Sequence, residues 1–149
     1  MPAKPSLRER ALRLLSLREH SRGELFRKLS PHAESPEALA GLLDDLSGRD
    51  LLSDARYAHS RAEKQSARYG NRAVALELRA QGIDGELVAE TLAALGDEAP
   101  RARSILCRKF GDSPPSGVEE RAKRARFLTR RGFSGETVRQ AVRYDFEGE

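Results

Sequence analysis

Two stretches of this chain write the same phrase: QGIDGELVAETL, from Gln81 to Leu92, and RRGFSGETVRQAV, from Arg130 to Val142. Aligned on Gly82 and Gly132, each passes from a helix end to Gly, an apolar residue, Asp or Ser, Gly, Glu and a new apolar rhythm. A looser third copy opens at Ser35-Pro36-Glu37. Six positions before Ser35, Asp84 and Ser134 stand Leu29, Leu78 and Leu128. Ten positions before them stand Leu25, Val74 and Arg124, the last breaking the apolar rule. Caps and core positions recur together at a period of about fifty residues, which favours three copies of one unit over a single globule with chance similarity.

Each copy reads as three short helices. Strand signals are nearly absent, whereas helix starts and stops are dense. Ser6 and Ser21 each begin a capping box, with Glu9 and Glu24 reaching back. Ser35 precedes Pro36, and Asn71, Asp84, Asp97 and Ser134 are candidate N-caps. Gly70, Gly82, Gly96, Gly111 and Gly132 fall where helices should end. These signals predict helices over 6–19, 22–30, 36–48, 53–69, 72–81, 85–95, 98–110, 117–131 and 135–145. The expected fold is all-α, an elongated tandem array of three three-helix (helix-turn-helix-like) repeats over 1–50, 51–96 and 97–149.

Composition narrows the function classes. Charged residues make up 34% and hydrophobic ones 38%, a thin apolar supply that suits small helical units with much surface. No apolar run reaches membrane-spanning length and no secretory signal precedes the first amphipathic segment. A lone Cys107 forms no internal disulfide. A soluble cytoplasmic protein is expected. His20, His32 and His59 are scattered, no phosphate-cradling Gly-rich loop is present, and Asp44 and Asp45 diverge on one helix. No catalytic residue, metal ligand or cofactor is therefore assigned, and the chain is not expected to be an enzyme.

What remains is surface. Between Arg101 and Arg131 ten basic residues face only Asp112, Glu119 and Glu120. Arginine far outnumbers lysine across the chain; its planar fork suits phosphate or carboxylate, although GC-rich coding gives the same excess. On the segment from Val118 to Arg131, Val118, Ala122, Ala125 and Leu128 form an apolar stripe. Lys123, Arg130 and Arg131 lie opposite it, Arg124 and Arg126 flank it, and Phe127 stands among the cations. That ring could enter a protein pocket or stack on a base; alternatively it packs against the neighbouring repeat.

Three segments carry a resemblance: ALRLLSLREHSRGELFRKL, LLSDARYAHSRAEKQSARYGNRAVALELRAQGI and FLTRRGFSGETVRQAV. In this order they resemble the successive signatures of the RecX family, bacterial regulators of the RecA recombinase, over about Leu7 to Arg143. The resemblance implies a cytoplasmic protein of tandem three-helix repeats that binds the RecA filament on single-stranded DNA; with no dimerisation stripe in the sequence, a monomer is expected. It implies inhibition of the filament's ATPase, strand-exchange and coprotease activities, and so modulation of homologous recombination, DNA repair and the SOS response. It also implies structural roles for Arg18, Ser21, Glu24, Leu25, Leu29, Asp54, Tyr57, Leu78, Gly82, Leu128, Gly132 and Phe133, with Asp54 supporting the start of the fourth helix. Asp50 stands where the family often has glycine, a turn Asp tolerates, and the Pro31–Ser35 connection also departs from the usual pattern.

Arg72, Arg108, Lys109, Lys123, Arg124, Arg126, Phe127, Arg130 and Arg131 are the candidate contacts to RecA, with direct DNA phosphate contacts also open. An array of this length could bridge adjacent RecA subunits, in which case truncation after Gly111 would abolish inhibition and leave the other helices folded. A small basic helix-turn-helix DNA-binding regulator and a scaffold without filament specificity are the alternatives.

Overall fold

The computed structural model describes residues 3–147, with side chains placed through Arg143. Among the described residues there are nine α-helices and no strand. They are α1 Leu7–Leu17, α2 Arg22–Leu29, α3 Pro36–Gly48, α4 Asp54–Ser66, α5 Asn71–Ala80, α6 Gly85–Leu95, α7 Ala99–Phe110, α8 Val118–Arg130 and α9 Gly135–Glu147. The chain is all-α, built of tandem three-helix repeats. The unusual Pro31–Ser35 connection forms part of a short 3-10 turn, Ser30–His32.

Local chemistry sets most boundaries. Ser21 and Glu24 complete the capping box at α2, whereas at α1 Ser6 accepts from the Glu9 N–H and forms the first half of one. Gly82, Gly96, Gly111 and Gly132 take positive φ at the ends of α5, α6, α7 and α8. Asp50 adopts φ 60°, so the turn expected of glycine survives with aspartate.

Three expectations are corrected. Gly70 does not end α4, which stops at Ser66; its carbonyl accepts from the Val74 N–H and so opens α5. Asn71 is then the first helical residue, and its side chain accepts from Arg101 instead of capping. At α7 the cap position is Glu98, with Asp97 accepting the Ala99 N–H from outside.

The described residues gather into two compact units. One runs to Ser60 and includes Leu78–Val88; its apolar centre joins Ala11, Leu25, Leu29, Leu39, Leu43, Leu46 and Leu52. Here Arg18 grips the buried Glu24 through both carboxylate oxygens, at 3.1 and 2.5 Å. Burial disfavours the Glu24 charge, but the Arg18 hydrogen bonds and charge hold its carboxyl below the usual range. Tyr57 is also buried. The other unit comprises Arg61–Glu77 and the chain from Ala89 onward, centred on Ala102, Ile105, Leu106, Leu128, Phe133, Val138 and Ala141.

The repeat register holds even where the chemistry changes. Leu29, Leu78 and Leu128 are all at most 2% exposed, and so are Leu25 and Val74. Arg124, at the position that breaks the apolar rule, is 3% exposed. Its guanidinium survives burial by bonding the Ser113 carbonyl oxygen and pairing with Glu120.

One junction occurs in each unit, built on the same plan. In the first, Ser21 Oγ donates to the Gln81 carbonyl at 2.7 Å, and the Arg22 N–H donates to Asp54 Oδ1 at 2.8 Å. Asp54 therefore supports α2, not the start of its own helix, where Ser53 Oγ accepts from the Arg56 N–H. In the second, the Gly70 and Arg72 N–H groups donate to the Arg131 and Gly132 carbonyls at 2.7 and 3.0 Å. Between them, the Asn71 N–H donates to Glu98 Oε2 at 2.8 Å, and Ser134 N–H reaches Oε1 at 3.0 Å. A carboxylate from the following repeat thus satisfies an orphan N–H at a helix start in both cases.

Burial disfavours the charge on Glu98, but the Asn71 and Ser134 N–H groups, with the Thr137 and Ser134 hydroxyls, hold its carboxyl below the usual range. Its stabilisation is therefore complete above the unfolded value of about 4.3 and fades as pH falls through the lower folded value. Glu98→Gln is expected to cost about 2 kcal/mol at pH 7, since one charged acceptor of two N–H groups is lost. Melting curves should show that gap between variant and parent closing on acidification.

Candidate functional site

The segment that follows α4 ends its helix without intrahelical partners for its last carbonyls. Four successive carbonyls receive guanidinium donors instead. Arg101 Nε donates to the Ser66 oxygen, Arg108 Nη2 to Ala67, Arg131 Nη1 to Arg68 and Arg101 Nη2 to Tyr69, the last at 3.3 Å. Arg101 also reaches Asn71 Oδ1 at 2.9 Å, while its Nη1 is buried without a hydrogen-bond partner in the described structure. Burial lowers the Arg101 pKa against the opposing pull of Glu98 and Asp97.

These bonds build a groove of about 360 Å³ along α7 and α8. Arg68, Arg108, Lys109 and Arg131 supply its charge, and Tyr69, Phe127, Ile105 and Ala67 its apolar wall. The Arg131 guanidinium lies 5.3 Å from the Tyr69 ring centre and 5.0 Å from that of Phe127. Lys109 Nζ approaches Phe127 to 5.8 Å, and Phe110 meets Phe127 edge-on at 5.6 Å. An adjoining hollow, sharing Ala67 and Arg108, is lined by Ser66, Pro100, Arg101 and Ser104. Such alternation of fixed cations and rings suits an anionic partner that also offers an apolar or planar group.

The structure sorts the candidate residues. Arg108, Lys109, Phe127 and Arg131 come together in the groove. Lys123, Arg126 and Arg130 are exposed on α8 and do not line it; Lys123 lies 5.9 Å from the Phe110 ring centre. Arg72 is exposed at the start of α5. Arg124 is corrected: it is buried beneath Phe110, 5.2 Å from its centre, because its register position points inward. Arg68 and Tyr69 were missed, although an aromatic and a cation directly before Gly70, at a helix end, were visible in the sequence.

Phe127 faces both ways. It packs against the apolar centre of its unit and also flanks the cations. The alternatives of core packing and surface contact therefore do not exclude each other. Phe127→Ala is expected to destabilise by about 2 kcal/mol, less than a fully buried ring, and to open the groove wall. Thermal unfolding measures the first effect, which by itself is no sign against a binding role.

Fold and groove define a tandem three-helix-repeat protein with a basic, ring-lined surface where the segment after α4 meets α7 and the end of α8. No helix among the described residues is long and apolar enough to cross a membrane. Residues 53–92 match the family model for RecX, second three-helix domain, and residues 97–142 that for RecX, third three-helix domain. The chain is 46% identical over 143 residues to Regulatory protein RecX of Herbaspirillum seropedicae, covering 95% of this chain and 92% of that one. It is 43% identical over 145 residues to Regulatory protein RecX of Herminiimonas arsenicoxydans, covering 97% and 95%. The crystal structure of RecX from Lactobacillus salivarius shares the fold, with a TM-score of 0.81 at 20% identity over 94% of each chain. The chain belongs to the RecX family of regulatory proteins.

Proposed function

We propose that this protein binds the RecA filament on single-stranded DNA and holds back its ATP turnover, strand exchange and coprotease activity. Membership of the RecX family supports a regulatory role, and the resemblance in the signatures names RecA as the partner. The observation that carries the contact surface is the α7–α8 groove, with four cations beside two rings. RecA is the main partner of this groove, with DNA phosphates meeting the adjoining cations. Binding acts by preferring one filament state over those that ATP turnover must visit.

The test measures RecA's DNA-dependent ATPase with and without the protein, alongside its binding to random duplex and to free single-stranded DNA. Inhibition with weak, unselective DNA binding supports the reading. Tight recognition of one duplex sequence without ATPase inhibition would select a helix-turn-helix regulator instead. If phosphates dominate the groove, affinity for free single strands falls steeply with salt.

Truncation after Gly111, expected from the sequence to leave the other helices folded, would also disturb the start of α5. It removes Arg131 and Gly132, whose carbonyls hold the Gly70 and Arg72 N–H groups at the start of α5. Surface substitutions are the sharper instrument.

A further inference from the structure

Seven positions before Leu29, Leu78 and Leu128 stand Arg22, Asn71 and Arg121. At the first two, the backbone N–H takes a carboxylate from the first helix of the following repeat, Asp54 and Glu98. The third differs. Helix α8 begins about a turn earlier in this register, so the Arg121 N–H is already bonded to the Gly117 carbonyl at 3.0 Å. A further repeat cannot dock there by the same backbone contact.

The same place instead carries an apolar groove of about 500 Å³ between α8 and α9, within the range of ligand-binding clefts. Val118, Ala125, Val138 and Val142 line it, and Val118 is 73% exposed. Arg139 and Arg143, both exposed, stand at its edge. Apolar lining with cationic borders calls for a partner that is apolar on one face and anionic beside it.

We propose that this groove receives an acidic amphipathic helix of a partner protein. Its apolar stripe lies on Val118, Ala125, Val138 and Val142, and its carboxylates meet Arg139 and Arg143. Two observations choose this occupant: the charge at the edge, and continuity with the two junctions, where a carboxylate-bearing helix start occupies the corresponding place. The groove shares no residue with the α7–α8 groove, so the inference does not rest on the function proposed above.

The test uses the full chain and two synthetic helices of about eighteen residues. Both carry leucine at i, i+3, i+4 and i+7; one has glutamate on its flanks and the other lysine. Fluorescence anisotropy should give at least tenfold tighter binding of the glutamate peptide, and Val118→Asp should remove that binding. Arg139→Glu, on an exposed site that leaves the fold intact, should invert the preference toward the lysine peptide. Lys64→Glu, exposed on α4 and outside both grooves, should leave the affinity for either peptide unchanged. Equal binding of both peptides, or binding indifferent to Val118→Asp and Arg139→Glu, would overturn the proposal. So would self-association of the parent chain, seen by sedimentation and abolished by Val118→Asp, because a second copy would then be the occupant.

Discussion

A chain carrying Arg68→Glu together with Lys109→Glu is expected to stay folded and to lose about 100-fold in affinity for the RecA filament, about 2.7 kcal/mol. Both cations are exposed at the groove, and neither is among the guanidinium groups that secure the carbonyls after α4. Reversing Arg108 or Arg131 would confuse the two roles, since each donates to one of those carbonyls. Two new carboxylates would confront an anionic partner, where like charges cost more than the lost attraction. Titration of ATPase inhibition against protein concentration measures the effect, with circular dichroism as the folding control. Inhibition at the parent's concentration would remove the groove from the contact surface.

Gly70→Ala is expected to destabilise the protein by about 4 kcal/mol. A Cβ there would lie 2.5 Å from the Gly132 carbonyl oxygen and 2.6 Å from Phe133 Cα. Both are backbone atoms, so no side chain can swing aside. Relief requires the turn after α8 to withdraw, breaking the Gly70 and Arg72 hydrogen bonds as well. The melting temperature should drop by roughly 12 °C. Gly41→Ala provides the contrast: nothing lies within 4 Å of its Cβ position in α3, so it should be neutral or slightly stabilising. Similar melting points for the two variants would refute this account of the junction.

The helices were legible because their punctuation is local. Ser21 with Glu24, Ser134 before Thr137, and the glycines at 82, 96, 111 and 132 act on neighbours a few residues away. The repeat register was legible too, and it already contained the answer to Arg124. Burial was implied by its alignment with Leu25 and Val74, while its charge argued for the surface; the register prevailed because Ser113 and Glu120 satisfy the guanidinium.

What escaped was long-range pairing. Gly70 reads as a stop signal because glycine commonly is one, and no neighbour in sequence shows that the Gly132 backbone passes against it. Asp54 looked like a cap for α4, yet its oxygen serves Arg22, thirty-two residues earlier. The groove was half visible for the same reason. Arg108, Lys109, Phe127 and Arg131 sit in the basic segment, but Arg68 and Tyr69 join them only in the fold, where Arg108 and Arg131 bond the Ala67 and Arg68 carbonyls and Arg131 lies against the Tyr69 ring.

The second junction also changes how fast one helix start trades its protons with water. Amides in a first helical turn usually lack partners and swap hydrogen for deuterium rapidly. At the opening of α5, three in succession are engaged: Gly70 with Arg131, Asn71 with Glu98, and Arg72 with Gly132. Their isotope uptake should therefore keep the slow pace of the whole unit's opening, and Glu98→Gln should quicken Asn71 ahead of its two neighbours.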